Sequence, residues 1–239
     1  MPQRRELPAF RFKNFSVEHN NSSIAIGTDA VLLGAWADTS QKNQVLEVGC
    51  GCGVISLVLA QKLVGDFNIL AIDIDEKSVL EANENFKNSK WGKHLETVLS
   101  DFKSLKTSLY DLIICNPPFF RDSLQNPETH KNLARHQLRF EMTDFAKFCH
   151  LNIVEGGEIY LIYPYSDLDF LKETFENNSL FLQKLCIVFS KKSKDPNRVL
   201  CCFGKESMDT KVSELSIYNP DNSYTQEYQK VTQSYYLNF

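Results

Sequence analysis

The sequence predicts an α/β fold, a mostly parallel sheet of seven strands, one of them antiparallel, with helices on both faces. Three observations point there. Apolar runs of strand length (44–48, 68–73, 95–100, 110–115, 158–163, 181–190 and 198–205) are separated by helical stretches, with a strand pair at the end. The first run, Val45-Leu46-Glu47-Val48, enters the glycine-rich turn Gly49-Cys50-Gly51-Cys52-Gly53, and a helix near 53–64 follows. The first four runs end in polar groups: Glu47 with the glycines, then Asp73, Asp101 and Asn116. An open α/β sheet takes its ligand outside the carboxyl ends of its strands, so these groups would meet at one edge.

Bulk properties agree with a single domain. The chain has 239 residues, 43% hydrophobic and 23% charged, with a net charge of −4 and a mean hydropathy of −0.29. We divide it into an N-terminal cap (1–43), a core (44–205) and an aromatic C-terminal tail (206–239) docked on that core. No apolar run approaches the ~20 residues that cross a bilayer, and Met1-Pro2-Gln3-Arg4-Arg5-Glu6 has no apolar segment behind its charges. Seven irregularly spaced cysteines suit reduced thiols in a cytoplasm and match no zinc spacing. The expectation is a cytoplasmic monomer without metal. A nucleic-acid partner would need a local basic patch on this acidic chain.

Taken in order, Phe10 to Val17 alternate and read as a strand or hairpin arm. A helix follows Gly27, capped by Thr28 or Asp29, with Val31, Leu32, Ala35 and Trp36 as its apolar stripe. The glycine turn has G-x-G-x-G spacing, not the G-x-G-x-x-G of a dinucleotide site. Glu47, two residues before Gly49, would repel a phosphate and suits an amino group. Asp73, followed by Ile74, ends the second strand about 20 residues on, the offset at which a carboxylate meets ribose hydroxyls. Asp75 caps the next helix, 76–88. The third strand delivers Asp101 and Phe102, an acceptor and a ring, or simply a loop acid and an anchored aromatic. The fourth, Tyr110 to Cys115, stops at Asn116-Pro117-Pro118-Phe119, because prolines cannot donate to a sheet. The Asn116 amide, the Pro117 carbonyl and the Phe119 ring would hold a flat molecule bearing an NH2 group. Farther on, Arg121, Arg135 and His136 lie in a basic stretch, and Lys191, Lys192, Lys194 and Arg198 cluster between the last two strands.

The glycine turn and Asn116-Pro117-Pro118-Phe119 resemble motifs of S-adenosylmethionine-dependent amine methyltransferases, and Gly27-Thr28-Asp29 resembles the loop that closes over the cofactor's methionine end. More specific are Gly27-Thr28-Asp29-Ala30-Val31-Leu32-Leu33-Gly34-Ala35-Trp36, Ala134-Arg135-His136 and the closing Tyr235-Tyr236-Leu237-Asn238-Phe239. Together they resemble the bacterial tRNA1(Val) adenine-37 N6-methyltransferase family, from about Phe10 to Phe239. Ala25 stands where that family carries a basic residue.

The resemblance implies a Rossmann-like class I methyltransferase that methylates an adenine N6 in tRNA, with S-adenosylmethionine as donor. Asn116, Pro117, Pro118 and Phe119 would be catalytic. Gly27, Thr28, Asp29, Glu47, Gly49, Gly51, Gly53, Asp73, Ile74, Asp101, Phe102 and Asn116 would hold the cofactor. Arg121, Arg135, His136, Lys191, Lys192, Lys194 and Arg198 would touch RNA. Two alternatives share much of this pattern. A protein glutamine N5-methyltransferase carries a similar core, usually behind a sizeable N-terminal helical domain. A non-catalytic RNA-binding module could keep the fold. A cytosine-5 methyltransferase is excluded, because Pro118 stands where its nucleophilic cysteine belongs.

Overall fold

The computed structural model describes residues 8–21, 26–106, 108–117 and 142–238. The N-terminal alternation folds as two short antiparallel strands, β1 (Phe10–Arg11) and β2 (Ser16–Val17). Helix α1 (Thr28–Trp36) leads to the first sheet strand, β3 (Gln44–Val48), and then to α2 (Val54–Ala60). One further strand–helix repeat and two strands follow: β4 (Asn68–Asp73), α3 (Glu76–Lys87), β5 (Leu95–Leu99) and β6 (Tyr110–Cys115). The second half contains α4 (Met142–Asn152), β7 (Ile153–Pro164), α5 (Leu168–Glu176), β8 (Phe181–Lys191) and β9 (Pro196–Gly204). Last come β10 (Lys211–Tyr218) and α6 (Gln226–Thr232).

The large sheet has the order β10-β8-β9-β7-β6-β3-β4-β5, and only β9 runs against its neighbours. The expected α/β architecture is therefore present, with eight strands in place of seven. The additional strand, β10, lies in the stretch read as a docked tail. It is an edge strand whose only buried residues are Leu215 and Ile217, with Ser213 and Glu214 exposed. Its apolar signal is thus shorter than that of a central strand.

Alternation along each strand splits the core in two. Val45, Leu112, Ile114, Tyr160, Ile162, Leu200 and Cys202 face α1, α2, α3 and the N-terminal hairpin. Leu46, Ile113, Cys115, Ile159, Leu161, Cys201 and Phe203 face α4 and α5, where Phe145, Phe175 and Phe203 form a chain of rings. Every residue of α2 is buried, because α1 covers the side turned away from the sheet. Helix α1 departs from expectation in two ways. Its cap is Gly27, without a side-chain bond, and Asp29 is instead engaged by Arg198. Its buried run is Ala30 to Gly34, not a narrow stripe, since α2, β7 and α6 surround it. At its C-terminus the Lys62 ammonium donates to the carbonyls of Gly34, Ala35 and Ala37. Burial lowers the Lys62 pKa to about 8.

Gly53 caps α2 in the left-handed conformation, φ 79°. A β-carbon there would sit 2.5 Å from Cε1 of Phe86 on α3. Gly53→Ala therefore combines backbone strain with overpacking and should cost about 2–4 kcal/mol. Urea denaturation measures this; a midpoint equal to wild type would show that the Phe86 ring moves aside freely.

Candidate active site

The carboxyl ends of β3, β4, β5 and β6 lie side by side, set by the pairs Val48–Ile72, Asp73–Leu99 and Val48–Cys115. The glycine turn begins there. The amides of Gly49 and Cys50 both donate to the Ile72 carbonyl, at 2.8 and 3.0 Å, so the turn leans on the end of β4. Gly49 and Gly51 have φ of 75° and 52°, and among the described residues, their chain neighbours aside, no atom lies within 4 Å of where their β-carbons would be. The turn thus presents bare backbone to open space.

Asp73 closes this arrangement. One of its oxygens accepts from the Gly51 amide at 2.8 Å and the other from the Asp75 amide at 2.9 Å. Each carboxylate oxygen retains a second lone-pair site for a ligand. Burial raises the Asp73 pKa, against the lowering effect of those amides. Ile74, next to it, is 46% exposed. Asp75 caps α3 as expected, taking the Ser78 amide and hydroxyl.

Glu47 is enclosed. Its Oε2 accepts from the Ser56 amide at 3.0 Å and from the Ser56 hydroxyl in a short bond. Its Oε1 is buried with no partner among the described residues. Burial pushes the Glu47 pKa to about 8, the Ser56 bonds opposing it and the nearby Asp73 charge adding to it. The Asn116 Oδ1 is likewise buried without a partner among the described residues. It follows β6 directly, one strand from Glu47. These two acceptors, beside the glycine turn, can each take an N–H from a ligand.

The other expected residues distribute unevenly. Asp101 is exposed and caps a short 3-10 turn through the Lys103 amide. The Phe102 ring is buried edge-on to Phe145 and Phe148, at 5.6 and 5.5 Å. Gly27 and Thr28 are exposed at the start of α1. Asp29 and Arg198, one read as cofactor-binding and the other as RNA-binding, are paired at 2.8 Å. Because β8 runs parallel to β6 in direction and β9 returns, the Lys191–Pro196 turn lies at the same sheet edge as Asn116. Lys192 and Lys194 are exposed there, while the Lys191 ammonium donates to the Pro220 carbonyl. Pro117 is buried. Pro118, Phe119, Arg121, Arg135 and His136 lie outside the described residues, as does Ala25.

Sequence reasoning missed Ser56, Glu81 and Asn85. Ser56 is a buried hydroxyl in an otherwise apolar helix. Glu81 and Asn85 are polar residues four apart on the buried face of α3, beside Ala82 and Phe86. That pattern, polar groups on an apolar stripe, was the available signal.

Comparison with known proteins is consistent in kind. Residues 16–179 match the methyltransferase small domain family. The whole chain is 32% identical to the tRNA1(Val) (adenine(37)-N6)-methyltransferase of Mannheimia succiniciproducens and spans 98% of it. A protein of the same name from Bacteroides fragilis is 33% identical over 96% of this chain and 98% of its own length. Among solved structures, a predicted O-methyltransferase from Agrobacterium tumefaciens superposes with a TM-score of 0.66 at 15% identity, over 87% of this chain and 96% of that one. At that identity the likeness concerns the fold alone.

The raised Glu47 pKa has a measurable sign. Between pH 4.5 and about 8 the folded chain keeps a proton that the unfolded chain has released. Stability of the ligand-free protein therefore falls as pH rises through this window, with Asp73 contributing in the same direction. Glu47→Gln keeps an acceptor for Ser56 and removes the titration. In melts without ligand, it should gain on wild type steadily from pH 5 to pH 8. Parallel pH profiles for the two proteins would show that Glu47 is not the source.

Proposed function

Because this chain belongs to the methyltransferase small domain family and, within it, to the tRNA1(Val) (adenine(37)-N6)-methyltransferases, we propose that it methylates N6 of adenine 37 in a valine tRNA. The observation that carries the reading is the buried Asn116 Oδ1 at the end of β6, unpartnered among the described residues. An amide oxygen there suits one N–H of an exocyclic amine. The reading includes a monomer working in the cytoplasm, supported by seven free, buried cysteines. Among the described residues no helix is long and apolar enough to cross a membrane.

The residues present fit S-adenosylmethionine. Among the described residues Glu47 Oε1 is an acceptor without a partner, suited to an ammonium, and Gly49 and Gly51 leave room for close backbone approach. The spare lone pairs of Asp73 suit two ribose hydroxyls, and exposed Ile74 suits the face of an adenine. Asp101 would accept from the cofactor's adenine amine, with Phe102 beneath that subsite. Gly27, Thr28 and Asp29 would cover the methionine end. When bound, this cofactor supplies an electrophilic methyl group on a sulfonium.

The chain's own work is alignment and charge stabilisation. An adenine amine is a weak nucleophile because its lone pair is delocalised into the ring. Asn116 Oδ1 and the Pro117 carbonyl would accept its two N–H bonds and hold the nitrogen for in-line attack. Both acceptors bind more strongly as positive charge gathers on that nitrogen. Pro118 would keep the segment extended, and Phe119 would stack the adenine splayed from the anticodon loop. The Lys191–Pro196 turn is supported as an RNA contact by its edge. It joins β8 and β9, three and two strand positions from β6, or ~10–14 Å at the usual strand spacing. Arg121, Arg135 and His136 would add phosphate contacts.

Incubation with labelled methyl donor and total tRNA tests the reading. N6-methyladenosine should appear at position 37 of valine tRNA; label in another nucleoside, or only in protein glutamine, overturns it. Asn116→Ala should lower the single-turnover rate by roughly a hundredfold or more while the Kd for S-adenosylmethionine stays within about twofold. A near wild-type rate would remove Asn116 from catalysis. Reversing charge at Lys192 and Lys194 should weaken tRNA binding and lower the slope of log K against log salt by about 2. An unchanged slope would place RNA docking elsewhere.

A further inference from the structure

Helix α3 carries two buried polar side chains, one helical turn apart, that the proposed reaction does not use. Asn85 is 2% exposed and makes three hydrogen bonds. Its Oδ1 accepts from the Glu18 amide at 2.8 Å, and its Nδ2 donates to the Glu18 carbonyl at 2.8 Å. That amide pairs with Glu18 backbone as a neighbouring strand would. Nδ2 also donates, at 2.9 Å, to the carbonyl of Cys52, between Gly51 and Gly53 in the glycine turn. Glu81 is 6% exposed, and its Oε1 accepts from the amides of Asn20 and Asn21 at 2.7 and 2.8 Å.

Asn85 thus holds two segments at once, the glycine turn and residues 18–21, which precede Gly27, Thr28 and Asp29 in sequence. Its Nδ2 has two hydrogens, and they go to carbonyls that are 34 residues apart in sequence, Glu18 and Cys52. We propose that Asn85, seconded by Glu81, is a positioning residue that couples the glycine turn to residues 18–21. Filling the glycine turn then tightens residues 18–21, and releasing those residues loosens the turn. The inference rests on the reading of the turn as the S-adenosylmethionine site. The chemistry demands an amide at 85. An aspartate keeps the acceptor for the Glu18 amide and loses both donated bonds. Glutamine at 81 keeps an oxygen for the two amides it serves.

Calorimetry with S-adenosylhomocysteine, which needs no turnover, tests this on the full chain. Asn85→Ala and Asn85→Asp should weaken binding by roughly 10- to 100-fold, the range seen when groups that orient a site are lost. Glu81→Gln should stay within about threefold, while Glu81→Ala should fall with the Asn85 variants. If an Asn85 variant melts earlier yet binds with wild-type Kd, Asn85 is structural only and the proposal is overturned. If wild type itself does not bind, the cofactor reading fails first. Hydrogen exchange on wild type supplies a measurement that survives any folding failure. The ligand should slow exchange of the Glu18, Asn20 and Asn21 amides by at least about tenfold, and unchanged protection there also overturns the coupling.

Discussion

The hydrogen bond from the Gly51 amide to the Asp73 carboxylate joins the two strands on which the site depends. It extends the β3–β4 ladder beyond the last strand residue, together with the Gly49 and Cys50 amides on the Ile72 carbonyl. The turn contains three left-handed glycines and would be loose without such anchors. Anchored, it starts α2 in register. That register sets Ser56 against Glu47 and leaves Gly53 in contact range of Phe86. The Glu47 carboxylate, the open turn and the Asp73 lone pairs are consequences of one closure.

Five buried side-chain atoms have no partner among the described residues, and two of them, Oε1 of Glu47 and Oδ1 of Asn116, lie at the carboxyl ends of adjacent strands. A buried polar atom without a partner costs about 1–3 kcal/mol. Both lie at the carboxyl edge, within one strand of each other, while the apolar packing on either sheet face is continuous. At these two positions a ligand bearing N–H groups would relieve the cost. The elevated Glu47 pKa has the same origin, since a carboxyl kept from water favours its neutral form until a cation arrives.

Electrostatics are decided by pairing more than by counting. Four basic side chains are engaged within the fold. Lys62 serves the end of α1, Lys42 and Lys184 share Glu158, and Arg198 engages Asp29. Lys192 and Lys194 remain exposed at the tip between β8 and β9. On a chain of net charge −4, they form a small exposed basic pair at the carboxyl edge of the sheet.

The sequence by itself determined the architecture, because strand and helix periods and glycine spacing are local properties of the chain. It also indicated the ends of β3, β4 and β6, where Glu47, Asp73 and Asn116 follow directly from strand-terminating chemistry. Only the tertiary structure decided what those groups touch. Nothing near Asp29 in sequence announces Arg198, which lies 169 residues away. Phe102 is consumed by rings of α4, and β10 becomes a strand because β8 offers it an edge. Asn85 binds Glu18 and Cys52 across separations of 67 and 33 residues. Hydrogen bonds between distant segments depend on where the sheet carries each backbone, and no window of residues contains that information.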